Sequence, residues 1–263
     1  MRNPTNGSPS ELAQFEGTEN VFGPEIGNFS GQGGQQAAGD AEPETMKTGT
    51  TTVGLTTDEG VVLATDMRAS MGYMVSSKDV QKVEEIHPTG ALTIAGSVSA
   101  AQNLISSLKA EVRLYEARRG EDMSMQALST LTGNFLRSGA FLIVSPILGG
   151  VDDDGSHIYS IDALGGTTEE KYTVTGSGSQ FALGVLEQQY EEGLSIEEAK
   201  TIATNAIQTA VERDLASGNG INIAVVTEDG VDVTRHKDFD ELLLAIKNLF
   251  SGFNFGVRDR CIE

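Results

Sequence analysis

The pattern of apolar and polar positions changes character at Thr51. Residues 1–46 hold Asn6-Gly7, the stretch Gly31-Gln32-Gly33-Gly34-Gln35-Gln36, and scattered acids and prolines. Too little apolar surface is present there to build a core, which predicts a disordered leader. From Thr51 onward, two strand-like runs, Thr51–Thr57 and Val61–Asp66, flank the turn Asp58-Glu59-Gly60. Lys78–Ile86 alternates weakly, His87-Pro88-Thr89-Gly90 is a turn, and Ala91–Gly96 reads as an apolar strand. The period then becomes helical: Leu104, Ile105, Leu108, Val112 and Tyr115 share one face, and a second helix covers Met125–Arg137. Strands follow at Phe141–Gly149 and His157–Ile161 around the turn Asp152-Asp153-Asp154-Gly155, and a third at Lys171–Val174. Two helices separated by Gly193 come next, the second opened by a capping box of Ser195 and Glu198. Strands Ile221–Thr227 and Val231–Thr234 flank Glu228-Asp229-Gly230, and a last helix covers Asp240–Leu249.

This order does not alternate strands with helices, which argues against a doubly wound parallel sheet. Strands linked as hairpins in two groups, with helices arriving in pairs, predict an α+β fold. Two antiparallel sheets would pack together with helix layers outside. Ser251–Glu263 has no usable period.

Charge narrows the classes. The 263 residues include 38 acidic and 18 basic side chains, a formal net charge of -20. Such a surface repels nucleic acid and anionic membranes, so neither is an expected partner. It also fits a high-salt interior, where screening tolerates the self-repulsion, although an ordinary acidic protein would look similar. The single cysteine, Cys261, excludes an internal disulfide and a cysteine-based zinc cluster. No apolar run is long enough to span a bilayer and no signal pattern opens the chain, which predicts a soluble, cytoplasmic protein.

Gly49-Thr50 stands where the leader ends and the first strand begins. Without a side chain at Gly49, the peptide bond before Thr50 is open to attack from either face. If that bond were cut, the Thr50 hydroxyl would sit beside an α-amine of pKa roughly 7.7–8.0, a usable base at neutral pH. A threonine-rich strand preceded by glycine explains the same residues without chemistry. Asp66 ends an apolar strand and Lys82 sits between Val80 and Val83 in what reads as another strand. A structural ion pair accounts for both, while a buried lysine near a nucleophile can also hold a lowered pKa and pass protons. Arg213-Asp214-Leu215-Ala216-Ser217-Gly218 clusters an acid and a hydroxyl at a helix end, and a plain C-cap explains only the glycine. Gly176-Ser177-Gly178-Ser179 lies between strand and helix, where phosphate loops occur, but Phe181 stands where a third glycine belongs and no P-loop lysine follows. Asp152–Asp154 lacks the alternation and closing glutamate of a calcium loop. The three histidines, His87, His157 and His236, fall in turns or at strand ends with no nucleophile elbow, which weakens both a Ser/His hydrolase and a histidine-rich metal site.

Thr50–Gly54, Lys78–Val83, Ala95–Val98, Gly149–Val151, Tyr159–Asp162, Gly176–Ser179 and Arg213–Gly218 together resemble an archaeal 20S proteasome β subunit of haloarchaeal type, in unbroken order from Thr50 to Gly230. The resemblance implies the four-layer αββα sandwich of the N-terminal-nucleophile hydrolases. It implies a propeptide, residues 1–49, removed autocatalytically between Gly49 and Thr50, a catalytic domain over 50–250 and an unassigned tail over 251–263. Thr50 would be the nucleophile, Asp66 and Lys82 its catalytic partners, and Gly96 the oxyanion donor, with Ser177, Asp214 and Ser217 around the amine. Ala69, Ser70, Val80, Ile94 and Val98 would contact substrate, their largely apolar character favouring cleavage after hydrophobic residues. Ala100 stands where many archaeal members carry aspartate, a departure away from the catalytic positions. Implied partners are heptameric β rings, proteasome α subunits, an AAA+ unfoldase ATPase and unfolded protein substrates, with no metal or cofactor. An HslV-type protease, another amidohydrolase of the same fold, and an inactive structural subunit are the alternatives.

Overall fold

The computed structural model describes residues 49–138 and 144–251. The predicted disordered leader, the beginning of the strand expected at Phe141–Gly149, and residues 252–263 lie outside the described residues. The chain forms β1 (Thr51–Thr56), β2 (Val61–Asp66), a short hairpin of β3 (Ala69–Met71) and β4 (Met74–Ser77), then β5 (Val83–His87) and β6 (Gly90–Thr93). Helices α1 (Val98–Arg119) and α2 (Met125–Arg137) follow, then β7 (Ile147–Asp152), β8 (Gly155–Ile161), β9 (Thr167–Glu170) and β10 (Tyr172–Gly176). Helices α3 (Ser179–Gln189) and α4 (Ile196–Arg213), strands β11 (Ile221–Thr227) and β12 (Gly230–His236), and helix α5 (Phe239–Ser251) complete it.

Two five-stranded antiparallel sheets result, ordered β10-β1-β2-β11-β12 and β5-β6-β7-β8-β9. Side chains alternate across each strand, so β2 feeds two cores at once. Val62 and Ala64 join the core under α3, α4 and α5, whereas Val61 and Leu63 join the core between the sheets. That two-sided burial is why Val61–Thr65 reads as one apolar run. A third core, with Leu92, Leu148 and Tyr159, lies between the second sheet and helices α1 and α2. Three cores between four layers give the αββα sandwich of an α+β fold, as expected. The helices start where the sequence places caps: Ser195 and Glu198 complete a capping box on α4, and Ser97 and Ser124 cap α1 and α2. Among the described residues no helix is long and apolar enough to cross a membrane.

Several expectations need correction. Lys82 is not inside a strand; residues 79–82 form an irregular connection, and β5 begins at Val83. His157 lies within β8 rather than at its end. Strands β3, β4 and β9 carried no apolar alternation, because β9 is an exposed edge and the β3–β4 hairpin is short and largely exposed.

The two sheets approach closely at Gly54 and Gly149. A Cβ on Gly149 would lie 2.7 Å from Val61 Cγ1 and 3.0 Å from Leu63 Cδ2. Gly149→Ala is expected to lower stability by about 1–3 kcal/mol, the usual range for overpacking a filled core. Denaturant unfolding in molar KCl measures it, and a variant as stable as the parent would contradict this account of the sheet interface.

Candidate active site

The strand register gathers the site at one end of the first sheet. Thr51 pairs with Gly176 across β1–β10, Thr52 with Thr65 across β1–β2, and Ile221 with Asp66 across β2–β11. Asp66 therefore ends its strand beside Thr51, with no exposed surface. Its carboxylate is held by four donors. Oδ1 accepts from Lys82 Nζ at 2.8 Å and from the Thr51 amide at 3.0 Å; Oδ2 accepts from the amides of Arg68 and Gly218, both at 2.9 Å. A buried carboxylate is tolerable only when it is paired and hydrogen-bonded in this way.

Lys82 is only 2% exposed and aims its ammonium at two oxygens, Asp66 Oδ1 and, at 3.1 Å, Thr50 Oγ1. Burial pushes its pKa down, and the Asp66 carboxylate opposes that shift without cancelling it. The backbone carrying Lys82 is fastened on three sides. The Val80 amide donates to Met67 O at 3.0 Å, Val80 O accepts from Asn222 Nδ2 at 3.1 Å, and Lys82 O accepts from the Ile94 amide at 2.7 Å. Asn222 is itself buried between Thr65 and Arg235.

Thr50 is also buried, with the Gly49–Thr50 bond intact, so its nitrogen is an amide standing where a cut chain would have an α-amine. That N–H donates to Ser177 Oγ at 3.2 Å. The hydroxyl donates to Gly49 O at 2.7 Å. Ser177 and Ser217 both donate to Asp214 Oδ2 at 2.6 Å, and Ser217 shares a 2.7 Å hydrogen bond with Thr51 Oγ1. Arg68 ties this group to β2: its Nη1 donates to Leu215 O at 2.7 Å and its Nε to Asn219 Oδ1 at 2.9 Å.

The glycines around Thr50 have steric reasons. A Cβ on Gly49 would lie 1.8 Å from Ala216 Cβ, so a wall, rather than open access to the bond, demands glycine there. A Cβ on Gly176 would strike Thr50 O at 1.9 Å, and one on Gly178 would strike Thr51 Oγ1 at 2.1 Å. The glycine-rich turn thus packs against the backbone of Thr50 and the side chain of Thr51, which leaves no room for a phosphate cradle.

A cavity of about 200 Å³ opens beside Thr50 and Gly49, lined by Ala69, Ser70, Ile94, Gly96 and Val98 among others. Ser70 Oγ accepts from the Gly49 amide at 3.1 Å. Val80, expected on this wall, does not line it; its backbone anchors the Lys82 segment instead. Met71 and Ser76 do line it, on a hairpin that the sequence pattern did not reveal. Arg68 and Asn222 were missed as well, since a charged residue after a strand and an asparagine within one carry no local signal. Two larger cavities, about 720 and 760 Å³, are walled mostly by polar and acidic residues near the β1–β2 and β7–β8 turns and touch none of these groups.

The architecture is that of the N-terminal-nucleophile hydrolases. A family model described as "Proteasome subunit" matches residues 46–226. The chain belongs to the proteasome subunit family. Proteins described as proteasome subunit beta from Halorubrum lacusprofundi and Haloferax volcanii are each 73% identical to it, over 92% of this chain and 100% of their own lengths. One from Haloquadratum walsbyi is 71% identical over 92% of this chain and 98% of its own. The likeness is to the β type, the catalytic subunit of the 20S proteasome core, and to halophilic archaea, in keeping with the net charge of -20.

Removing one partner of the buried pair strands the other. Lys82→Met is expected to lose about 3–5 kcal/mol, while Asp66→Asn combined with Lys82→Met loses less than the sum of the single changes. The lowered Lys82 pKa sets a sign: the folded chain binds fewer protons, so its stability rises as pH climbs through the folded pKa toward the ordinary 10.5. Lys82→Met removes that slope. Unfolding curves collected across alkaline pH measure both effects, and strictly additive losses would contradict the pairing.

Proposed function

We propose that the chain is a threonine-type endopeptidase, the proteolytic β subunit of a proteasome core, activated by cutting itself between Gly49 and Thr50. The observation that carries this reading is the buried Lys82 ammonium, held by Asp66 and 3.1 Å from Thr50 Oγ1. A purely structural ion pair has no need to reach the hydroxyl of the residue that precedes β1.

In the uncut chain the Thr50 nitrogen is an amide and offers no base. Self-cleavage then depends on the neutral amine form of Lys82, brought within reach by its lowered pKa, or on a water, to take the Oγ proton; Lys82 becomes the ammonium as it does so. Oγ attacks the Gly49 carbonyl carbon, the bond from that carbon to the Thr50 nitrogen breaks as the nitrogen gains a proton, and an ester remains on Oγ. Water hydrolyses the ester, releasing the leader as a carboxylic acid and restoring the hydroxyl beside a new α-amine. With a pKa of roughly 7.7–8.0, that amine can take the Oγ proton in later turnovers. A substrate carbonyl is attacked in the same way, its C-terminal fragment leaves as an amine, and a second water frees the acyl fragment.

The surrounding groups have roles consistent with this sequence. Lys82 exchanges protons with Oγ and stabilises the negative charge there, and Asp66 fixes Lys82. In this reading the Gly96 N–H, on the wall of the cavity beside Thr50, is the donor to the developing oxyanion. Ser177, Asp214 and Ser217 orient the amine, Ser177 already lying 3.2 Å from the Thr50 nitrogen. Ala69, Met71, Ile94 and Val98 give the adjoining cavity an apolar lining suited to Leu, Tyr or Phe before the cut. Heptameric β rings, capped by α subunits and supplied with unfolded proteins by an AAA+ ATPase in the cytoplasm, complete the proposed setting.

N-terminal sequencing of the assembled protein is expected to begin at Thr50, and Thr50→Ala is expected to keep the leader and hydrolyse no peptide. Lys82→Arg retains the charge but cannot release a proton. Assembled Lys82→Arg particles working within about tenfold of wild type, about 1.4 kcal/mol of barrier, would refute proton exchange at Lys82. Among fluorogenic peptides, those with Leu, Tyr or Phe before the reporter are expected to react fastest, and faster cleavage after Arg or Asp would reject the cavity assignment.

A further inference from the structure

The end of β5, the C-terminal part of α1 and the connection from α1 to α2 bring three ligand-type side chains together, away from the Thr50 site. His87, at the end of β5, is 4% exposed. Glu116 comes from α1, and Asp122 from the exposed connection after it. One ligand atom from each lies within 4.8 Å of the other two.

Two of those atoms are buried without a hydrogen-bond partner: His87 Nε2 and Glu116 Oε1. They face each other at 3.4 Å, too far for a good hydrogen bond and close enough to repel if both present lone pairs. The other ring nitrogen is engaged. Thr89 Oγ1 donates its proton to Val151 O at 2.7 Å, which leaves it able to accept from His87 Nδ1 at 3.1 Å. An ion on Nε2 requires the imidazole proton on Nδ1, where Thr89 Oγ1 can accept it, and the Nε2 lone pair then points toward the two carboxylates. A ligating histidine is usually held by such a bond from its second nitrogen. In the opposite tautomer the Thr89 amide, also 3.1 Å away, donates to Nδ1, and a bare Nε2–H faces Glu116.

We propose that His87 Nε2, Glu116 Oε1 and a carboxylate oxygen of Asp122 form a binding site for a divalent first-row transition ion, with Zn²⁺ the best match. One imidazole and two carboxylates suit Zn²⁺ or Mn²⁺ better than Mg²⁺, which prefers an all-oxygen shell. Three protein ligands leave a fourth position for water. Ligands on one such ion stand at most about 4.2 Å apart, twice the bond length, and exposed Asp122 can move to close the difference. Entry is available: His87 and Asp122 line the cavity of about 760 Å³, whose walls also carry Asp152, Asp153, Asp154 and Glu228. Asp152 is already engaged by the Met125 amide and His157, so it draws cations inward rather than ligating. The bound ion ties the end of β5 to the C-terminal turns of α1 and the chain that follows, clamping α1 onto the second sheet.

The test uses the full-length assembled protein in molar KCl, stripped with EDTA and titrated with Zn²⁺ alone, then with Co²⁺ for its visible spectrum. The expected result is one ion per chain, a melting temperature that rises with Zn²⁺, and Co²⁺ bands of a nitrogen–oxygen site without sulfur charge transfer. His87→Gln should abolish the stoichiometric ion, and Asp122→Asn, which leaves the core intact, should weaken it by about tenfold or more. His157→Gln should leave it unchanged. Peptide hydrolysis by Asp122→Asn should match the parent, separating this site from the proteolytic one. No saturable uptake, uptake unaffected by both His87→Gln and Asp122→Asn, loss with His157→Gln instead, or equal displacement by Mg²⁺ would overturn the proposal. The first outcome would leave His87 and Glu116 as a close contact with no ion between them.

Discussion

The carboxylate of Asp66 is the point on which the site depends. Its two oxygens hold the start of β1 through the Thr51 amide, the segment after β2 through the Arg68 amide, the loop after α4 through the Gly218 amide, and the Lys82 ammonium. Four separate stretches of chain are thereby brought to one fully buried group. None could leave without exposing a charge to a medium that solvates it poorly. The same bonds that make the ion affordable in the interior also set the position of Lys82 relative to Thr50, so folding and the juxtaposition of these two side chains are one event.

Much of the fold was legible because burial leaves a periodic trace. Val61–Thr65 and Ile221–Val226 are apolar at nearly every position because they are covered on both faces, and the α4 capping box marks its start in four residues. Thr50, Asp66 and Lys82 could be singled out one by one: a hydroxyl at a boundary, an acid closing an apolar run, a lysine among valines. What the sequence could not show was their meeting. Lys82 was assigned to a strand because Val80 and Val83 flank it, whereas those valines serve different ends, one as a backbone anchor and one in the core between the sheets. Arg68, Asn222 and the β3–β4 hairpin act through contacts more than a hundred residues away or through exposed short strands, and neither leaves a pattern nearby.

Gly49 shows how sequence and structure can agree on a residue and differ on its cause. Inspection of the sequence favours glycine for access; the packed protein requires it because Ala216 occupies the space a side chain would need. Gly176 and Gly178 are similar: they look like a loop for an anion and serve to let β10 and α3 close over the backbone of Thr50 and Thr51.

The Gly49 amide donates to Ser70 on the wall of the same cavity that adjoins Thr50. On the proposed reading, the last residue of the leader occupies the cleft in which a substrate would lie, and the uncut chain is a tethered inhibitor of its own site. If the chain cuts itself as proposed, nucleophile and bond belong to one molecule, so that first reaction is unimolecular and its half-life does not change on dilution. Any dependence of maturation on protein concentration must then come from a neighbour that alters the cleft, which makes the kinetics of leader release a direct report on assembly.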